Sequence, residues 1–182
     1  MSSPKAIQLN AKSVRVSSVL NRDAKQFGKQ FMLDGRDDTC WNSDQGKSQT
    51  VSIELDQPVT IAGVRIMFQG GFVGNRCRIE VERSPAQQEA AAGVSPSGES
   101  SLASSASASE QPGLANDAST GSTTARKYDV LCTIYPEDNN TLQEFPFPSS
   151  QEVQRMRFVF EASTDFFGRV TVYRLELLQA TC

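Results

Sequence analysis

Residues 50–68 read TVSIELDQPVTIAGVRIMF, and their spacing decides the fold class. Apolar side chains occupy every second position in 51–55 and again in 64–68. A period of two is typical of a strand that buries one face. Pro58 and Gly63 stand between the two runs, so this stretch predicts two strands separated by a turn.

The same period recurs on both sides of this stretch. It predicts further strands at 13–20, 77–81, 128–134, 156–160 and 170–178. Short helical turns are predicted only at 21–33 and 149–154. About seven short strands, each with one apolar face, predict an all-β chain: an antiparallel β-sandwich or jelly roll with two sheets packed face to face.

One segment differs in composition from the rest of the chain. Residues 84–126 are rich in Ser and Ala and contain no aromatic residue. Such a stretch cannot bury enough apolar surface to offset the entropy of ordering it. Strands are predicted on both sides, so we expect a single domain over residues 1–182, interrupted by a disordered insertion at 84–126.

The charge balance and the absence of histidine exclude several classes of function. Lys plus Arg number 18 and Asp plus Glu 21, for a formal net charge of −3, so no basic field is available to bind nucleic acid directly. A chain without His cannot form Ser-His-Asp or Cys-His catalytic sites. No Gly-rich phosphate loop or nucleophile elbow is present, and we predict a non-enzymatic protein.

The hydropathy pattern leads to an expected location. No apolar run approaches the roughly 20 residues that span a bilayer, so no membrane association is expected. The first residues, MSSPKAIQLN, lack the apolar core of a signal peptide. A protein of the nucleus and cytoplasm is therefore expected.

The densest group of polar oxygens lies in residues 31–43, FMLDGRDDTCWNS. Asp34, Asp37 and Thr39 bring carboxylate, hydroxyl and carbonyl oxygens into one tight loop, which is the ligand type that Ca²⁺ prefers. The alternative is a turn closed by its own side-chain hydrogen bonds. Spacing alone leaves both open.

Two Gly-containing loops carry aromatic residues next to strand ends. Phe72 ends the string QGGF, and Phe166 and Phe167 lie in DFFGR (165–169). Loops at the edge of a rigid sandwich commonly bind partners, and Gly allows close backbone approach. Alternation predicts that one of Phe166 and Phe167 caps the core. Arg65 and Arg169 are candidate polar anchors.

In this order, the motifs resemble the discoidin or coagulation-factor C-type family. Asp34-Gly35 leads to Thr39-x-Trp41, as in the early signature of that family, and the alternating strands follow. The strings MRF (156–158) and YRLEL (173–177) resemble its closing strand pair. The resemblance implies a discoidin-like, galactose-binding-like jelly roll.

The resemblance also implies a structural calcium ion. Carbohydrate-binding members of the family hold Ca²⁺ at the Asp-Gly turn and at a Glu of the last strand. The matching positions here are Asp34, Asp37, Thr39 and Glu176. Structural calcium is thus the one cofactor that the resemblance suggests, and no other cofactor is predicted.

A second set of strings is similar to a family of small nuclear receptor-associated proteins. The strings are VSSVLNR, DDTCWNSDQG, FQGGF, YPEDNN and TDFFGRV. This resemblance implies an intracellular protein-binding module whose partner is an orphan nuclear receptor, the testicular orphan receptor, and which represses transcription driven by that receptor. Residues 84–126 fall outside the pattern.

The surface that would contact such a receptor is a hypothesis. The nearest string to an L-x-x-L-L motif is RLELL (174–178), which lacks the first Leu and lies in a predicted strand. We therefore place the contact on the loops FQGGF, YPEDNN and TDFFGR. Two alternatives stay open: a rim that binds a glycan or small polar ligand, and a subunit that recruits a partner to a larger complex. The predicted partner-binding residues are Phe72, Asp138, Asn139, Asp165, Phe166, Phe167 and Arg169.

Overall fold

A computed structural model describes residues 4–82 and 127–180 of the chain. The insertion predicted at 84–126 lies outside the described residues. One short helix, α1 (Ala24–Phe27), and 3-10 turns at Ala11–Ser13, Leu20–Arg22 and Lys29–Met32 accompany the strands. No helix in these two ranges is long and apolar enough to cross a membrane. The strands are β1 (Lys5–Ile7), β2 (Val14–Val16), β3 (Trp41–Asn42), β4 (Gln49–Phe68), β5 (Arg76–Glu82), β6 (Tyr128–Ile134), β7 (Leu142–Ala162) and β8 (Thr171–Gln179).

Two long strands, β4 and β7, form the centre of the fold. They pair antiparallel from Gln49 opposite Phe160 to Met67 opposite Leu142, with irregularities near the middle of β4. The first half of β4 also pairs with β2, and the end of β7 pairs with β5, which pairs with β6. The second half of β4 pairs with β8, which carries β1 and β3 on its other side.

Ring contacts show that the two halves of the β4–β7 pair face each other. The rings of Phe68 and Phe160 lie 5.9 Å apart, edge to face. Phe160 pairs with Gln49, which is 19 residues from Phe68 along β4. In one flat sheet that separation would be about 60 Å at about 3.3 Å per residue. The β4–β7 pair therefore folds back on itself. The predicted antiparallel β-sandwich is confirmed.

The interior follows the alternation read from the sequence. Every second residue of 51–55 and of 64–68 is buried, as are Cys77, Ile79 and Leu177. Trp41 is fully buried, and its ring lies 6.4 Å from that of Phe160. The apolar faces of both layers thus meet in one core, which leaves the connecting loops to form the ends of the sandwich.

The structure corrects the predictions for residues 50–68 and 149–154. Residues 50–68 form one bent strand rather than two, and residues 149–154, predicted as a helical turn, belong to β7. The first half of β7 was missed because Pro146 and Pro148 interrupt the strand pattern. That half has β4 as its only described partner, and a sheet edge tolerates the missing N–H of Pro.

Strand β6 also departs from its predicted alternation. Cys132 pairs with Ile79, and the next pair toward the N-terminus is Val130 with Glu80, so Leu131 is bulged out of the ladder. A bulge shifts the facing of the residues beyond it. Val130 is consequently 58% exposed instead of lying on the inner face.

Candidate functional site

Four loops at one end of the sandwich are tied together by hydrogen bonds; we call them the rim. Gly46 N donates to Phe167 O over 3.0 Å, and Thr164 N donates to Val73 O over 2.9 Å. Gly71 N donates to the Asp138 carboxylate over 2.7 Å. These bonds bring together the loops on which we predicted the partner contact and add a fourth. The rim comprises residues 43–48, 69–75, 135–141 and 163–170.

The loop at 163–170 is organised by one carboxylate. Asp165 Oδ2 accepts hydrogen bonds from the backbone N–H groups of Phe167 and Arg169, both at 3.1 Å. The Arg169 guanidinium adds two more, 3.0 and 2.9 Å from the two carboxylate oxygens. These hydrogen bonds, chiefly those from the guanidinium, hold the pKa of Asp165 below its ordinary value. Asp165, with its side chain only 9% exposed, thus fixes the shape of the loop.

The tip of this loop presents two aromatic rings to solvent; we call Phe166 and Phe167 the aromatic tip. Phe166 is 94% exposed and Phe167 57%, and their rings meet edge to face at 5.3 Å. The prediction that one of them caps the core is wrong. Gly168 N donates to Asp165 O, which closes a tight turn, so the strand alternation does not continue through both Phe residues.

Arg169 joins the aromatic tip to the neighbouring loop. Its guanidinium carbon lies 5.5 Å from the ring centre of Phe167 and 5.1 Å from that of Phe72. Stacking of this kind contributes about 0.5–1 kcal/mol at exposed sites. Phe72 is only partly exposed beneath the guanidinium. Phe72 and Arg169 therefore support the aromatic tip from one side.

The loops at 69–75 and 135–141 are joined by hydrogen bonds between their polar groups. Gly71 has a φ of +83°, and its N–H is held by Asp138, while Gly70 N donates to the side chain of Asn140. Asn139 Oδ1 accepts from the backbone N–H and the hydroxyl of Thr141, at 2.9 and 2.6 Å. Asp138 and Asn139 thus shape the rim through internal hydrogen bonds.

The exposed large apolar side chains of the described residues are concentrated at this end. Besides Phe166 and Phe167, Tyr135 is 66% and Leu142 40% exposed, directly at and beside the 135–141 loop. Val130 on β6 is the remaining one. Sequence reasoning missed Tyr135 and Leu142, although Tyr135 follows the buried Ile134 and alternation places it outward. Exposed large apolar side chains gathered at one end of a domain favour an interaction site there.

A buried polar anchor beneath the rim was also missed. Gln49 is 2% exposed, and its Oε1 accepts hydrogen bonds from Ser17 at 2.6 Å and Ser18 at 2.8 Å. Its Nε2 donates to Asp44 O at 2.7 Å. Gln49 has the same parity as Val51, so the alternation of β4 placed it on the inner face. It holds the base of the rim in place.

The residues predicted to bind calcium are engaged with one another and with arginines. Asp34 accepts from Arg36 N at 3.0 Å and from Thr39 Oγ1 at 2.7 Å, which closes the turn by its own hydrogen bonds. Asp37 accepts from Arg174 at 2.6 Å. Glu176 lies 3.9 Å from Arg65. Within 4–82 and 127–180 no three Asp, Glu, Cys or His side chains gather as metal ligands, and the calcium site stays a prediction.

Arg65, a candidate polar anchor, lies away from the rim. It belongs to β4, and its Nε donates to Glu144 on β7 at 2.7 Å. The string RLELL (174–178) lies within β8, as predicted, and is not a helix. The candidate site is accordingly the rim itself, with the aromatic tip as its most exposed part.

Comparisons with known proteins identify relatives over most of the chain. No family profile matches it. The nuclear receptor 2C2-associated protein of Danio rerio is 42% identical over 169 residues, covering 93% of this chain and 92% of the relative. The proteins of the same name from Xenopus laevis and Homo sapiens are 43% and 38% identical, covering 90% of this chain and 90% and 88% of their own.

Solved structures share the fold at low identity. An F5/8 type C domain from Bacteroides fragilis covers the whole of both chains with a TM-score of 0.64 and 14% identity. A family 32 carbohydrate-binding module from Clostridium perfringens NanJ, in complex with galactose, gives 0.60 at 12% identity, covering 96% of this chain and 98% of the module. The F5/8 type C, galactose-binding-like fold is confirmed, and the chain belongs to the family of nuclear receptor 2C2-associated proteins.

Proposed function

We propose that this chain is a non-enzymatic, protein-binding module that docks on an orphan nuclear receptor through its rim and represses transcription driven by that receptor. The names of the relatives support a receptor as the partner. The observation that carries the choice of surface is the aromatic tip, where a Phe side chain is 94% exposed at the end of a fixed loop. Such a protein acts in the nucleus and cytoplasm.

The aromatic tip has the properties of a binding hot spot. A buried aromatic side chain contributes roughly 150–250 Å² of contact, against the roughly 800 Å² per partner of a standard interface. Aromatic and Arg anchors dominate the energies of such interfaces. The four hydrogen bonds onto Asp165 already hold the loop in one conformation, so little conformational entropy is lost on docking.

The polar groups of the rim favour a protein partner over a glycan. Sugar sites combine an aromatic surface with polar groups that are free to bind hydroxyls. Here Asp165 is committed to Arg169, and Asp138 and Asn139 to backbone N–H groups. The galactose bound to a structural neighbour is a property of that module. Glycan binding is therefore an outcome that the experiment must distinguish. Recruitment of a partner to a larger complex stays a separate alternative.

The experiment removes the aromatic tip and measures receptor binding. The double variant Phe166→Ser/Phe167→Ser removes two exposed side chains and the stacking of Phe167 on Arg169, so the melting temperature should fall by no more than about 5 °C. Affinity for the purified receptor, measured by calorimetry, should fall about 30-fold or more, as expected for loss of a hot spot of about 2 kcal/mol. Repression in a receptor-driven reporter assay should fall in parallel.

Val130→Ser is the matched control, because Val130 is also exposed but lies on β6. It should bind the receptor as wild type does. Wild-type affinity in the double variant would refute the rim as the docking surface. Sugar binding on an array that the double variant loses, while its receptor binding persists, would support the glycan-binding alternative instead.

A further inference from the structure

The turn at residues 34–39 lies against β8, where one arginine reaches it. Arg174 projects from β8, and its Nη2 donates to Gly35 O at 2.7 Å and to Asp37 Oδ1 at 2.6 Å. The Arg174 side chain is 24% exposed, and its Nε is buried with no hydrogen-bond partner. The guanidinium is thus partly removed from water and depends on these two oxygens.

Those two oxygens are of the kind that a hard cation would use. Ca²⁺ is held by carboxylate oxygens and by backbone carbonyls of a turn. At this turn the Gly35 carbonyl oxygen and an Asp37 carboxylate oxygen already accept hydrogen bonds from Arg174 Nη2. Asp34, another carboxylate of the turn, accepts hydrogen bonds from Arg36 N and Thr39 Oγ1. A divalent ion would have to displace these donors.

Electrostatics also oppose an added ion. Arg174 carries a fixed positive charge in contact with Asp37, and Arg36 donates to Asp38 at 2.9 Å. Arg65 lies beside Glu176. A second cation a few ångströms from the Arg174 guanidinium, whose side chain is 24% exposed, is repelled, and solvent screens part of that repulsion at the 66% exposed Asp37. Asp37 and Asp38 therefore each have an arginine, while Glu176 shares Arg65 with Glu144.

We propose that Arg174 is the internal cation of this turn: its guanidinium holds the 34–39 turn to β8 in the way that a bound metal would, and the fold needs no divalent ion. One positive charge from the chain itself joins the Gly35 carbonyl and the Asp37 carboxylate. The turn is then held at any calcium concentration, which suits a protein whose partner is proposed to be intracellular.

The test compares metal dependence with local protection of the turn in the full chain. The thermal midpoint of the wild type should be the same in excess CaCl₂ and in excess EGTA. Arg174→Met should speed hydrogen exchange of the Arg36 amide, the amide of the 34–39 turn that donates to Asp34, about tenfold, the factor that corresponds to one lost charge-assisted hydrogen bond.

Arg155→Met is the matched control, since Arg155 is a strand arginine of similar exposure, 25%, that pairs with Glu54 and Glu82 instead of the turn. It should leave exchange in 34–39 unchanged. Should Arg174→Met fail to fold, Asp37→Asn at an exposed position removes the same ion pair and should loosen the same amide. A wild-type midpoint that rises with calcium and falls with EGTA, or unchanged exchange in both turn variants, would overturn the proposal.

Discussion

Gly168→Ala should damage the rim far more than the same change at Gly71. Both glycines have positive φ, +73° and +83°, so both substitutions carry the backbone strain of the left-handed region. They differ in the space available. A Cβ at Gly168 would lie 2.0 Å from Gly46 O, whereas a Cβ at Gly71 would have nothing within 4 Å.

The magnitudes follow from that difference. Strain alone costs about 1–2 kcal/mol, which we expect for Gly71→Ala. In Gly168→Ala the segment at Gly46 must also move away, which breaks the 3.0 Å bond from Gly46 N to Phe167 O. That bond contributes about 1 kcal/mol, and the displaced backbone adds a packing loss of similar size. The free energy of unfolding should therefore fall by about 3–4 kcal/mol for Gly168→Ala.

The assay is urea unfolding followed by the fluorescence of Trp41, the one Trp of the chain, which is fully buried beside Phe160. Gly71→Ala serves as the control for backbone strain within the same rim. Equal losses of unfolding free energy in the two variants would refute the reasoning, because they would show that the 43–48 loop does not pack against Gly168.

Two further predictions concern acid sensitivity and thiol chemistry. Arg169 lowers the pKa of Asp165 in the folded chain, so their ion pair stabilises the protein above the ordinary carboxyl pKa of about 3.9, and that stabilisation disappears as pH falls through the lowered value. Asp165→Asn should thus lower the urea midpoint at pH 7, and the gap to the wild type should close as pH falls below the lowered pKa of Asp165; a gap that does not narrow on acidification would contradict the assignment. Burial raises the pKa of the Cys40, Cys77 and Cys132 thiols, and Cys77 is also fully shielded from solvent. Cys77 should therefore stay unlabelled by a maleimide at pH 8 in the folded protein while the half-buried Cys40 and Cys132 react, as read by mass spectrometry. Labelling of Cys77 as fast as of Cys132 would show that the core opens.

The strands with one apolar face were predictable, because apolar residues such as Val51, Ile53 and Leu55 stand at every second position. The first half of β7 was not, since Pro146 and Pro148 are acceptable only at a sheet edge, and a sequence does not show which strand is at the edge. The bulge that turns Val130 outward depends in the same way on register with β5.

The candidate site was predictable in its loops and less so in its chemistry. The Gly and Phe content of 69–72 and 165–169 indicated the rim, but both Phe166 and Phe167 are exposed because Asp165 closes the turn through its side chain. Contacts between residues that are far apart in the sequence could not be predicted from it. Arg174 reaches Asp37 across 137 residues, and the 7% exposed Glu80 receives Arg157 across 77. Such pairs depend on which strands are neighbours and on the register between them, and the sequence alone does not show either.

Strands β4 and β7 each contribute to both layers of the sandwich. This limits where residues can be inserted or deleted. Because side chains alternate, deletion of one residue midway along either strand would turn half of it inside out relative to its partners. By contrast, β5 and β6 end opposite each other at Glu82 and Tyr128, and the number of residues joining those ends can vary at a closure cost that grows only logarithmically. Insertions and deletions among relatives should therefore collect at that junction, while the two long strands diverge by substitution alone.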